Sequence, residues 1–138
     1  MKKSTERRSM TYAMICYARM GGTKGCSTPF DVYKRISGYL IHNQELALDV
    51  WAVHECLMTL YLAGDDETLK AVSEIYLKPF SKDLYMHLRK NEISRRILRF
   101  SYENNLDERT VYRRLRKARM LWLNIREYGK VKKEGTQL

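Results

Sequence analysis

The sequence has little of what identifies secreted, membrane or strand-rich proteins. Its three cysteines, Cys16, Cys26 and Cys56, are too few and too scattered for a disulfide framework in 138 residues, which indicates a reducing cytoplasm. The apolar stretch at 10–20 follows basic residues as a signal peptide would, but polar residues interrupt it and no small-residue cleavage site follows. No stretch alternates with a period of two over strand length, so we expect an all-α protein.

Residues able to carry catalysis or hold a metal are also poorly placed. His54, Glu55 and Cys56 are adjacent in the sequence, and adjacent residues on a helix point about 100° apart, so these three cannot converge on one ion. The acidic run at 65–67 falls at a predicted helix start, where capping and the helix dipole explain it. We therefore predict no enzyme active site, no metal site and no cofactor.

The most apolar segment, 46–63, carries Asp49, His54 and Glu55 in its middle, which excludes a transmembrane span. It is apolar almost all round, which is typical of a helix that is buried on several sides or shared between subunits. We expect the helix at 46–62 to form a homodimer or higher oligomer, because its apolar surface exceeds what one small domain can cover. The side chains behind this expectation include Trp51, Leu57, Met58 and Leu62.

Charge is concentrated in the second half of the chain. Residues 1–77 include nine basic and nine acidic residues, whereas 78–138 include seventeen basic and seven acidic residues and supply the whole net charge of +10. This asymmetry indicates a neutral interaction half and a half that faces nucleic acid. We divide the chain into a helical dimerisation or interaction region at 1–64, a DNA-binding region at 65–129 and a basic tail at 130–138.

Apolar periodicity and capping residues predict a series of helices before residue 91. The expected helices are 4–20, ended by glycines at 21–22, then 30–40, 44–63, 67–78 and 81–90, with a loop at 21–29. Asn43 is the expected N-cap of the third helix and Gly64 its C′ residue. The core positions expected in 30–40 are Val32, Tyr33, Ile36, Tyr39 and Leu40, and those in 67–78 are Leu69, Val72 and Tyr76.

The segment 91–126 predicts two helices joined by a tight turn. Asn91 is a plausible N-cap of the first helix, whose apolar stripe is Ile93, Ile97 and Phe100. The sequence at 103–107 then breaks the periodicity, with Asn105 suited to a left-handed turn and Asp107 to the N-cap of the second helix. The stripe of the second helix is Val111, Leu115, Ala118, Trp122 and Ile125, and Gly129 is expected to end it.

The opposite side of the second helix is basic, and no acidic residue occurs between 109 and 126. A solvated basic face on a helix that follows a short turn is what a major-groove recognition helix needs, because Arg and Lys neutralise phosphates and Arg reads guanine edges. We therefore expect the all-α fold to be a multi-helix domain that ends in a helix-turn-helix with a long recognition helix. The basic residues of this face are Arg109, Arg113, Arg114, Arg116, Lys117 and Arg119.

The sequence NLDERTVYRRL at 105–115 resembles the G-V/L-S-x-x-T-V-x-R-x-L/V core of many helix-turn-helix regulators. Thr110 and Val111 are the diagnostic pair, while Asn105 replaces the usual turn glycine and Asp107 the usual serine. With the helix before it, the stretch is similar to the sigma factor region-four-like regulators of phages of Gram-positive bacteria, of the RinA and ArpU type. The resemblance implies a phage late-gene activator in the cytoplasm of a bacterial host cell, with double-stranded DNA and RNA polymerase as partners and no membrane.

The residues expected to bind DNA are Glu108, Arg109, Thr110, Tyr112, Arg113, Arg114, Arg116, Lys117 and Arg119. Those in the first two helical turns are expected to reach base edges, and those further along to contact phosphates. The alternative is a non-enzymatic interaction adaptor, such as an anti-repressor or an RNA-polymerase-binding protein, whose basic helix binds an acidic partner. Salt-dependent binding to random duplex DNA separates these two hypotheses.

Overall fold

A computed structural model describes the backbone of residues 9–79 and 86–136 and the side chains of 9–79 and 91–129. Within these ranges the regular structure is helical and includes no strand, which confirms the predicted all-α class. The elements are α1 (Met10–Arg19), α2 (Pro29–Tyr39), α3 (Gln44–Leu62), α4 (Asp66–Val72), a π-helical turn (Ser73–Leu77), α5 (Met86–Glu103) and α6 (Glu108–Thr136).

Side chains cap the first three helices at their N-termini. The Ser9 hydroxyl accepts a hydrogen bond from the Tyr12 amide, and Thr28 forms a capping box with Asp31. Asn43 caps α3 as predicted, accepting from the Leu46 amide at 3.1 Å. Each cap satisfies amides that have no partner within the helix. The first helix was expected to run from residue 4, but Ser9 is extended and caps a helix that begins at Met10, so this start was wrong at residue 9, and residues 4–8 lie outside the described ranges.

Helix α3 is the centre of the fold, because α1, α2, α4 and α6 all pack against it. This explains its nearly uniform apolar composition. Trp51 and Leu57 are half-buried by the chain's own helices. The apolar side chains of α3 that stay exposed lie near its C-terminal end and are Met58, Tyr61 and Leu62. The apolar surface that α3 leaves exposed is therefore smaller than the sequence analysis predicted. Oligomerisation through this helix stays a prediction.

Helix α2 buries one face only. Val32 and Ile36 are each 3% exposed, whereas Tyr33 and Tyr39 are 54% and 70% exposed, so the prediction that both tyrosines belong to the core was wrong. The reason is that α2 lies at the edge of the fold and packs mainly on α3. Two residues four positions apart are enough to form that single contact face.

The expected helix at 67–78 is present in two parts. Asp65 caps α4, and after Val72 the backbone widens into the π-helical turn. Ile75 and Tyr76 are both buried there, at 0% and 8% exposure. Arg96 on α5 then donates hydrogen bonds to the carbonyl oxygens of Ile75, Lys78 and Pro79, so a side chain of the next helix satisfies the end of this segment.

Helix α5 begins at Met86 and runs through Asn91 without interruption. The predictions of an N-cap at Asn91 and of a separate helix at 81–90 were therefore wrong over 86–91, and residues 81–85 lie outside the described ranges. An asparagine inside a helix costs less than about 1 kcal/mol, and no proline or glycine breaks this segment. The predicted stripe is confirmed, since Ile97 and Phe100 are buried and Ile93 is half-buried.

Helix α6 continues through Gly129 to Thr136, so the predictions that Gly129 ends it and that a tail begins at 130 were wrong as far as 136. Residues 137–138 lie outside the described ranges. A Cβ on Gly129 would lie 2.5 Å from Cζ3 of Trp51 and 3.3 Å from Cδ1 of Leu48. The glycine therefore allows close contact between α6 and α3 instead of ending the helix. The division of the chain at residue 64 stays a prediction.

Candidate nucleic-acid interface

The turn between α5 and α6 has the predicted geometry. Asn105 has a φ of 52°, in the left-handed region that asparagine tolerates better than most residues. The Leu106 amide donates to the Ser101 carbonyl at 2.9 Å, and the Asn105 amide donates to Tyr102, which together make a Schellman motif. Asp107 then caps α6, accepting from the Arg109 amide at 3.0 Å. This local chemistry places Glu108 at the start of α6.

One face of α6 is held firmly against the core. Val111, Ala118 and Trp122 are fully buried, Leu115 is 5% exposed and Ile125 is half-buried against the core, so the predicted stripe is confirmed. The indole Nε1 of Trp122 donates to the Asp49 carbonyl of α3 at 2.9 Å. The orientation of α6 about its own axis is fixed by these contacts, which determines the side chains that face outward.

A buried ion pair that the sequence analysis missed extends this stripe. Arg126 is 1% exposed, and its guanidinium binds the carboxylate of Asp49, itself 3% exposed, and that of Glu45 at 2.8 Å. Arg126 is therefore structural, although it belongs to the most basic helix of the chain. The available signal was its position four residues after Trp122, on the apolar stripe, together with an aspartate in the middle of an apolar helix.

The face opposite the stripe presents a row of exposed arginines at positions i, i+4 and i+7, which are Arg109, Arg113 and Arg116. In the described part of the chain, none of them pairs with a carboxylate. We call these three residues the arginine ridge. Glu108 is also exposed, Tyr112 is 47% exposed, Thr110 is half-buried, and Arg119 is exposed one turn beyond the ridge. The ridge is a continuous positive surface over the first turns of α6.

Two of the predicted DNA-binding residues lie beside the ridge instead of on it. Arg114 donates to Glu67 at 2.6 Å, with its own side chain only 17% exposed. Lys117 donates to Asp65 at 2.5 Å, and this hydrogen bond is the main reason that the pKa of Asp65 lies below its ordinary value. These carboxylates at the start of α4 partly neutralise one flank of α6, so the nine predicted residues do not form a single surface.

The buried polar residues of α3 serve packing in the described structure. The Tyr17 hydroxyl lies 3.0 Å from Nδ1 of His54, and burial lowers the pKa of this histidine, which favours its neutral form. Burial raises the pKa of the Cys56 thiol to about 12, and its sulfur donates to the Ala118 carbonyl at 3.6 Å. Among the described residues, no group of three His, Cys, Asp or Glu side chains is placed to hold a metal ion.

Of the helices in the described ranges, none is both long and apolar enough to cross a lipid bilayer. The chain matches no model of a known protein family, no curated protein and no solved structure.

Proposed function

We propose that this protein is a sequence-specific DNA-binding regulator of transcription that inserts the first turns of α6 into the major groove. The observation that carries the proposal is the arginine ridge. Arg109, Arg113 and Arg116 are exposed, lie on one side of the helix and have no carboxylate partner among the described residues. Such unneutralised cations attract phosphates, and the release of counterions from DNA favours binding.

The turn before α6 supports the proposal further. The Schellman motif at Asn105 and the cap at Asp107 give α6 a defined start, and Thr110 and Val111 follow at the positions that the helix-turn-helix resemblance requires. In such motifs the N-terminal residues of the second helix contact base edges. We assign Glu108, Arg109, Thr110, Tyr112 and Arg113 to base recognition on this ground.

The remaining predicted residues are assigned to the DNA backbone. Arg116 and Arg119 lie one to two turns further along α6, where phosphate contacts are more common than base contacts. Arg114 and Lys117 form ion pairs with Glu67 and Asp65, respectively. These carboxylates reduce the contribution of both cations to phosphate binding. Base recognition and phosphate attraction thus use different parts of one helix.

The test is the salt dependence of binding to random duplex DNA, measured by fluorescence anisotropy on the full chain. The four cations assigned to phosphates predict a slope of log K against log salt of about −2 to −4, because two of them are partly neutralised by carboxylates. Arg116→Gln should reduce the magnitude of this slope by about one. The matched control is Lys34→Gln, which removes one exposed positive charge from α2 and should leave the slope unchanged. Binding that is absent at moderate salt would refute the proposal and favour the adaptor hypothesis.

Sequence specificity is tested on the DNA that surrounds the protein's own gene, by footprinting. On a protected site, Arg109→Ala should cost about 1 to 3 kcal/mol and relax specificity, while its effect on random DNA should be much smaller. Equal losses on both DNAs would mean that Arg109 contacts a phosphate and not a base.

The finer proposal is activation of phage late genes in the cytoplasm of a bacterial host, with RNA polymerase as a protein partner and a homodimer as the active form. Its support is the helix-turn-helix resemblance together with an N-terminal half of balanced charge. The exposed apolar side chains at the end of α3, Met58, Tyr61 and Leu62, are the surface that we assign to self-association. Sedimentation equilibrium that gives a monomer at roughly tens of micromolar would contradict the dimer.

A further inference from the structure

A groove of about 760 Å³ lies between α1, the π-helical turn, α5 and α6. Its floor is apolar, because the lining includes four side chains that are at most 5% exposed, namely Met10, Ile15, Ile97 and Leu115. Its more exposed lining is polar and includes Thr11, Ser94, Tyr112, Arg116 and Arg119. The volume falls within the range of about 300 to 1,000 Å³ that small-molecule sites occupy.

The described part of the lining carries charge of one sign. Arg116 and Arg119 belong to it, and none of the described lining residues is acidic. Neither arginine forms an ion pair with another described side chain. Burial raises the pKa of the Tyr76 hydroxyl at the groove, while a hydrogen bond with Thr11 and the charge of Arg119 act in the opposite direction. An apolar cleft beside two unneutralised guanidinium groups is complementary to an anion that carries an apolar body.

We propose that this groove binds a small amphipathic anion, with a carboxylate held by Arg116 and Arg119 and an aromatic or branched apolar body against the buried floor. A bound anion would neutralise Arg116 and cover part of Tyr112, which both belong to the face assigned above to DNA. The ligand would therefore weaken DNA binding. This effect on DNA rests on the proposed function, whereas the binding of the anion to the groove does not.

Binding is tested first without DNA, by NMR titration of the isotope-labelled full chain. The probe is 4-phenylbutyrate, and 4-phenylbutan-1-ol has the same body without the charge. The carboxylate, a ligand of about twelve heavy atoms, should saturate with a Kd of about 2 mM. The shifts should centre on α1, α5 and the second and third turns of α6. The alcohol should bind about tenfold more weakly. An absence of saturation, or equal binding of both probes, would overturn the proposal.

Two variants, each with a matched control, locate the site. Arg119→Gln should weaken binding of the carboxylate about tenfold but not that of the alcohol, whereas Arg113→Gln removes the same charge from the ridge and should change neither. Ser94→Trp should block the groove, whereas Leu98→Trp adds the same ring to an exposed position of α5 outside the lining. Equal losses from Arg119→Gln and Arg113→Gln would mean general attraction of anions to α6, which refutes a defined site.

The effect on DNA is tested separately. Saturating 4-phenylbutyrate should reduce affinity for random duplex DNA at least threefold compared with acetate at the same ionic strength, and Ser94→Trp should remove this difference. A chain that binds the probe at the groove but does not bind DNA would refute the proposed function and leave the groove proposal intact. A chain that binds DNA but shows no saturable shift with the probe would refute the groove proposal alone.

Discussion

Breaking the buried pair of Asp49 and Arg126 should remove a large part of the stability of the fold. With these side chains 4% and 1% exposed, neither charge is solvated well when the other is removed. Breaking a buried pair by removing one partner costs about 3 to 5 kcal/mol, compared with a total stability of about 5 to 15 kcal/mol for a typical domain. We expect Asp49→Asn to cost about 3 kcal/mol, because Glu45 and Glu127 still offer carboxylates to the guanidinium at the surface.

Arg126→Met should cost more than Asp49→Asn, because it leaves the aspartate without its cation. The double variant Asp49→Leu with Arg126→Met replaces the pair by apolar groups and should recover most of the loss. The free energy of unfolding is measured by urea denaturation followed by circular dichroism. The single variant Asp49→Leu closes the double-mutant cycle, which gives the coupling between the two positions. A coupling of more than about 2 kcal/mol is the expected result.

The control is the exposed pair of Glu74 and Lys78, whose side chains are 38% and 61% exposed at a separation of 2.7 Å. Glu74→Gln should cost less than about 1 kcal/mol, because water screens such pairs. If Asp49→Asn and Arg126→Met each cost as little as this, and if the effects of Asp49→Leu and Arg126→Met add in the double variant, the pair is solvated and does not hold α6 against α3.

Two further predictions concern contacts of α6. Gly129→Ala should destabilise the chain by about 1 to 3 kcal/mol, because the added methyl group forces the Trp51 ring outward. Gly38→Ala, at an open helical site, should instead stabilise the chain by about 0.5 to 1 kcal/mol. Equal gains in stability, measured by urea denaturation, would mean that α6 and α3 are not in close contact at Gly129. Asp65→Asn combined with Glu67→Gln should release Arg114 and Lys117 from their ion pairs, while asparagine at position 65 still caps α4. The affinity for random DNA should therefore rise, and the salt slope of binding should steepen by about one to two units. An unchanged slope in the anisotropy titration would show that the released cations do not reach DNA.

The features that could be predicted from the sequence are those that are satisfied within a few residues. Asn43 caps the third residue after it, and Asn105 and Asp107 shape the turn before α6 through bonds that span two to five residues. Apolar periodicity is local in the same sense, so Val111 and Trp122 could be assigned to the core without knowledge of their partners. The all-α class and the helix-turn-helix candidate depend on these short-range relations.

The features that could not be predicted depend on partners far apart in the chain. Arg126 and Asp49 are separated by 77 positions, and the pattern of α6 alone does not identify the carboxylate that pairs with this arginine. Lys117 and Asp65, 52 positions apart, likewise meet because α4 packs beside α6. A glycine is typical of a helix end, but Gly129 lies within a continuing helix. It is needed there because the Trp51 ring leaves no room for a Cβ. Packing between helices therefore determines which cations of a uniformly basic helix remain available to a partner.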